Sequence, residues 1–240
     1  MFNTLLIQPI YNVFIFLIGV MPGGDVGLAI VVLTLIIRAV FYPAFASSIK
    51  TQMGMQEVQG ELDEINKQYK DVPEERARRT MELFKEHKVH PFSGFVALLV
   101  QIPVFIALYY AFFREDLPHI ATNLLYSSVH VPQAISLTFL GLIDLMSKHN
   151  IILALLVGAL QYSVVRLSVR RMKMGQKKTT AAGQKEAAQK MQQQMMLYFL
   201  PTLIAIISYS LPAAVAIYFI TGNLVSLTQE LVIRRQMKKA

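Results

Sequence analysis

The chain has 240 residues, 54% of them hydrophobic, with a formal net charge of +8 and no cysteine. It is too apolar for an ordinary soluble domain and too long for one peptide anchor, so it reads as a single polytopic membrane domain. The cysteine count excludes a disulfide framework, a thiolate metal site and a lipidated cysteine.

Residues 1–37 hold no Lys or Arg, which supports neither a secretory signal nor an arginine-rich transit peptide. Residues 4–20 are apolar but interrupted by Gln8, Pro9 and Asn12. At this length they fall near the lower limit for spanning, so residues 1–25 are expected to form an interfacial segment that turns at Pro22-Gly23-Gly24-Asp25. Val26 to Ala46 is the first expected span. It carries Arg38, whose burial in a bilayer costs about 3 kcal/mol or more. That cost needs a carboxylate partner, a snorkel to headgroups or internal water.

Residues 47–91 are polar. Val58, Leu62, Ile65 and Tyr69 recur at helical spacing, as do Ala77, Met81 and Phe84. Asp71 to Glu75 is a helix start with a cap candidate, an early Pro and first-turn acids. Asp63/Lys67, Glu74/Arg78 and Glu75/Arg79 are spaced to pair. The expectation is a helical hairpin in water, its stripes mostly holding the arms together.

Phe92 to Phe113 is the second span, with Gln101 and Pro103. Residues 114–150 form a loop whose apolar middle, Ala134 to Met146, suits an interfacial segment better than a span. Ile151 to Ser168 is the third span, with Gln161. A basic loop follows at 169–194. Met195 to Ser210 is a short fourth span. The fifth starts at Pro212 and runs to Ile233, and residues 234–240 are a basic tail. The expected fold is therefore all-α: five transmembrane helices in a core over 26–240, an N-terminal interfacial helix and a cytoplasmic hairpin. The loops at 47–91 and 169–194 carry eight and seven Lys or Arg and the tail four, against two in 114–150. Positive loops stay in the cytoplasm, so the N-terminus is expected outside and the C-terminus inside.

At about 1.5 Å per residue, Arg38, Gln101, Gln161, Thr202 and Asn223 lie roughly 10–15 Å from the cytoplasmic ends of their spans. The outer halves are nearly free of polar groups. No acid sits mid-span, and only Glu230 comes near. A snorkelling Arg38 with amides bonding across helices competes here with a wet cavity open to the cytoplasm and floored by Arg38.

Gly27-Leu28-Ala29-Ile30, then Thr34-Leu35-Ile36-Ile37-Arg38 and Pro43, resembles the first core span of the YidC/Oxa/Alb family of membrane protein insertases. Pro91-Phe92-Ser93-Gly94 with Gln101-Ile102-Pro103-Val104-Phe105-Ile106-Ala107-Leu108-Tyr109 resembles the second. Met195-Met196, Pro201, Pro212-Ala213 and Tyr218 to Asn223 resemble the last two. The resemblance runs from about residue 4 to 235, in the short bacterial form without a large periplasmic domain. Phe95, Ala97, Phe219 and Gly222 depart from common family choices.

The resemblance implies a hydrophilic groove open to cytoplasm and lipid and holding Arg38; with the polar residues at the same depth, the candidate groove residues are Arg38, Gln101, Gln161, Thr202, Asn223, Thr34 and Tyr218. It implies a protein that is not an enzyme, needs no nucleotide or other cofactor, and works in the plasma membrane. Nascent membrane proteins would be received there and slide into the bilayer along the second and fourth spans. The hairpin, with Met53, Met55, Met81 and Phe84, would receive substrate. Ribosomes, the Sec translocon and membrane lipids are the implied partners; DNA and small-molecule substrates are not.

Glu86-His87-Lys88-Val89-His90 lacks a third ligand and reads as a loop end rather than a metal site. No GxxxxGK, HExxH or GxSxG pattern occurs. Methionines 53, 55, 172, 174, 191, 195 and 196 cluster toward the cytoplasmic side, as ordinary packing or as a pliable surface for diverse segments. The basic loop and tail suit topology and anionic lipid, with ribosomal RNA as a second partner. Two rival readings stay open: a small solute or ion transporter, and a non-catalytic assembly subunit. One-sided polarity and the lack of repeats speak against the transporter.

Overall fold

In the computed structural model the structure describes residues 7–87, 119–174 and 194–237, together with Ile106, Leu117 and Met191. The expected second span, with Gln101, and most of the basic loop lie outside these residues. The described chain is predominantly helical. Helices Ile151–Arg170 and Ala213–Ile233 are long and apolar enough to cross a membrane, and a bent pair at the first span makes a third crossing if counted as one.

Helix α1 (Gln8–Val20) is about 20 Å long, short of a 30 Å hydrocarbon core. It buries Tyr11, Phe14, Ile15 and Ile18, spaced on one face. The polar residues that interrupt its apolar run bind a loop. Asn12 Nδ2 donates to Leu124 O at 2.8 Å, and Asn12 Oδ1 accepts from the Tyr126 N–H at 2.7 Å. Gln8 Nε2 donates to the same Leu124 carbonyl, and the Tyr11 hydroxyl oxygen accepts from the Ala121 N–H.

Helix α2 (Val26–Val40) starts at Asp25, whose side chain accepts from the Leu28 N–H. It does not continue to Ala46 as one straight span. It ends at Phe41, and α3 (Tyr42–Glu57) leaves at 62°. Pro43 has no N–H to offer the Ala39 carbonyl and disfavours helical backbone just before it. The apolar run hides this break because composition does not change across it.

Helices α4 (Gln59–Gln68) and α5 (Pro73–Glu86) form the expected hairpin. Its details differ from expectation. The N-cap of α5 is Val72, without a side-chain bond, and not Asp71. Leu83 is the buried residue of α5, while Met81 is exposed and Phe84 half-buried. Arg78 pairs with Glu75 at 2.7 Å rather than with Glu74, and Arg79 reaches both Glu75 and Glu82. The Arg78 guanidinium holds the Glu75 carboxyl below its ordinary value.

An all-α fold needs one amendment. Strands β1 (Thr138–Phe139) and β2 (Ile143–Asp144) pair antiparallel as a small hairpin inside the 114–150 loop. Ser136 exchanges backbone bonds with Gly24 and Val26, and Leu145 O and Ser147 O accept from the Ala214 and Ala213 N–H groups. The loop thereby satisfies orphan donors at the N-termini of two helices.

Helix α6 (Ile151–Met174) packs on α7 (Leu200–Ser210), which follows a π-helical turn at Met195–Phe199 just before Pro201. A Cβ at Gly158 would sit 3.1 Å from the Ala205 Cβ, the close approach that small residues allow between membrane helices. Helix α8 (Ala213–Met237) packs against α2 and α6. The main core gathers α1, the first half of α2, the loop and the start of α8 around Tyr11, Ile18, Ile30, Leu145 and Ile217. Burial therefore concentrates at the N-terminal end of α2 and thins toward its C-terminal end.

Candidate groove around Arg38

Arg38 stands in the last turn of α2. Beside it opens a cleft of about 500 Å³ lined by Leu35, Arg38, Ala39, Tyr42, Val225 and Gln229. The bend at Phe41 makes this site. It swings α3 so that Phe45 comes over the guanidinium, with Arg38 Cζ 4.7 Å from the ring centroid. With the bend included, Arg38 lies roughly 8 Å above the level of Ala46 along the α2 axis, not the 12 Å of a straight helix.

Across the cleft stands α8. A Cβ at Gly222 would come 3.4 Å from Arg38 Nη2, so the glycine leaves the guanidinium room. Tyr218, one turn away, is buried, with its ring 5.6 Å from that of Phe219. Asn223 is 7% exposed and its Nδ2 has no hydrogen-bond partner among the described residues. Arg38 itself makes neither a hydrogen bond nor an ion pair among the described residues. A guanidinium stays charged, and here its positive charge has an aromatic face as neighbour and, among the described residues, no carboxylate.

The structure thus brings Arg38, Tyr218 and Asn223 to one helix pair. Thr34 is near them in sequence, but its hydroxyl donates to Ile30 O at 2.7 Å, within its own helix. Gln161 is half-buried on α6, next to Tyr162, over which Arg166 lies. Thr202 is exposed on α7 and donates to Tyr198 O. It shares an exposed stripe with Phe199, Leu203, Ile206 and Tyr209 and does not line the Arg38 cleft. Of the candidate reception residues, Met81 is exposed and Phe84 half-buried, and the side chains of Met53 and Met55 lie outside the described residues. His87 approaches Glu61 at 4.0 Å; His90 is not described.

Sequence reading missed Tyr42, Phe45 and Gln229. Pro43 was the available signal, because a break beside it turns Phe45 back toward Arg38. It also missed that Gly222 is the near neighbour of the arginine.

Taken together, these features define a class: a polytopic helical membrane protein packed at one end, with a cation that meets no carboxylate among the described residues in a cleft toward the other. The sequence profile of the 60Kd inner membrane protein family matches residues 17–240, and the chain belongs to that family. A relative from Oceanobacillus iheyensis named membrane protein insertase YidC is 31% identical over 98% of this chain and 84% of its own length. One of the same name from Clostridium tetani is 32% identical over 91% and 86%. In Alcanivorax borkumensis the relative so named is 29% identical, and the match covers 97% of this chain but 37% of that longer protein.

Proposed function

We propose that this chain is a membrane protein insertase. It receives nascent membrane proteins in the Arg38 cleft and passes their hydrophobic segments into the bilayer. The observation that carries this reading is a guanidinium that meets no carboxylate among the described residues, in a cleft of about 500 Å³, in a chain whose relatives bear the insertase name. Attraction between Arg38 and an acidic tail is strong where the dielectric is low. A fixed internal carboxylate would cancel it. The cleft also shortens the apolar path a polar tail must cross, while the core at the far end of α2 stays closed to ions.

In this reading five spans enclose the groove, with residues 92–113 as the second and Gln101 on its wall. Gln161 extends the polar surface, while Asn223 and Tyr218 stand buried on α8 beside Arg38. The exposed stripe of α7 is the greasy track along which a client segment leaves, and Thr202 lies on that track. The N-terminus is outside, the C-terminus cytoplasmic, and residues 1–25 rest at the outer interface. The hairpin with Met81 and Phe84 meets clients first. Ribosome and Sec translocon deliver them, and the basic loop and tail hold anionic lipid. The groove works without nucleotide.

The test is reconstitution. Purified chain in liposomes should render a short single-span client protease-protected in the absence of nucleotide. Insertion no better than in protein-free liposomes would refute the proposal.

A further inference from the structure

The hairpin of β1 and β2 ends in Leu140-Gly141-Leu142. Leu142 is 84% exposed and Leu140 57%. Turn tips in water favour Gly, Asn or Asp, which also tolerate positive φ. Here Leu140 itself has a φ of 50°, a conformation that L side chains rarely adopt. Strain of this kind persists only where the surroundings impose it.

A carboxylate imposes it. The Leu140 N–H donates to Asp25 Oδ2 at 2.7 Å, while Asp25 Oδ1 accepts from the Leu28 N–H at 3.0 Å. Phe139 presses on α2 so closely that a Cβ at Gly27 would collide with its ring. These contacts fix the height of the tip: Phe139 and Leu140 stand level with the first turn of α2. A second marker agrees. His149 N–H donates to Tyr209 O at the end of α7, and the two rings meet edge-on with centroids 5.0 Å apart. Amphipathic rings gather at the membrane–water boundary. Two residues further on, the apolar Ile151 and Ile152 are exposed at the start of α6.

We propose that Leu140-Gly141-Leu142 is a lipid anchor, its two leucines seated in the headgroup–acyl boundary of the leaflet that holds the N-terminus of α2. Asp25 is the clamp that aims it. The anchor ties the loop to the bilayer, as a wedge of two apolar side chains can, and lies at the opposite end of α2 from the Arg38 cleft. It does not depend on what that cleft carries.

The chain has no tryptophan, so Leu142→Trp gives a protein whose tryptophan emission reports one position. At this exposed site the substitution opens no cavity, and circular dichroism of the reconstituted variant checks its fold. In phosphatidylcholine vesicles the emission should be blue-shifted and quenched by about half when the acyl chains are brominated, because a ring at that boundary lies within several ångströms of them. Aqueous acrylamide should quench it weakly. Val131→Trp, an exposed loop position away from the tip, should emit to the red and be quenched by acrylamide. A red-emitting, acrylamide-quenched Leu142→Trp overturns the anchor. Equal lipid quenching at 131 and 142 also overturns it, since the whole loop would then lie on the membrane with no dedicated tip.

Discussion

Arg38 is tolerated at its depth by more than its contact with Phe45. A desolvated cation over a phenyl ring is worth about 2 kcal/mol, less where water reaches it. Placing the charge in the membrane costs about 3 kcal/mol or more, so Phe45 offsets only part of that. In the proposed function, water entering the cleft from its open side supplies the remainder. Phe45→Leu should accordingly lower stability by about 1 kcal/mol, seen as an earlier melt in detergent, with most client insertion retained. Asn223 makes the opposite case. Its buried Nδ2 has no hydrogen-bond partner among the described residues, and replacing such a group by an apolar one is neutral or favourable. Asn223→Leu should melt later by on the order of 1 kcal/mol while inserting clients less well. An earlier melt would make Asn223 a structural residue.

At the scale of elements, the loop holds α2 by backbone. Gly24 has a φ of 68°, and a Cβ there would run into the Ala134 carbonyl. Gly24→Ala should cost about 1–3 kcal/mol, read as an earlier melt; an unchanged melt would mean that the loop is not seated on α2. In the hairpin, Glu75 contributes through its bonds to Arg78 and Arg79. Its carboxyl is held below 4.5, so this contribution is intact above that pH and is lost as pH falls through the lowered value. Glu75→Gln should loosen the α5 amides in hydrogen exchange at neutral pH and leave them unchanged in acid below the lowered value.

Helices α4 to α8 and the start of α2 were legible because periodicity, Pro and charge mark them. The bend was not, because Val26 to Ala46 is uniformly apolar and only Pro43 betrays it. The β-hairpin was not, because two-residue strands carry no periodicity; Gly141 was the sole turn signal. Arg38 stood out from its cost alone. Its neighbours did not, since Gly222, Phe45 and Gln229 meet it only once α3 swings and α8 packs.

For the molecule as a whole, the proposed function divides the labour between the packed end and the open end. Cysteine introduced singly into this Cys-free chain should distinguish them. Ala39→Cys and Val225→Cys, on the cleft, should react with a water-soluble maleimide from the cytoplasmic side. Ala29→Cys and Ala154→Cys, in the cores, should not. Equal protection of all four would mean that the cleft is filled by lipid and not by water. In the proposed function the charge of Arg38, rather than its shape, draws polar tails into the cleft. Among the described residues no carboxylate meets the guanidinium, so bidentate geometry has nothing to match. The direct measurement is insertion into liposomes of one client series graded in the acidity of its translocated tail, by wild type, Arg38→Lys and Arg38→Ala. Lysine should retain most insertion across the series. Alanine should lose it progressively as the tail grows more acidic, without melting earlier than wild type. Full insertion of the most acidic client by Arg38→Ala would contradict the account.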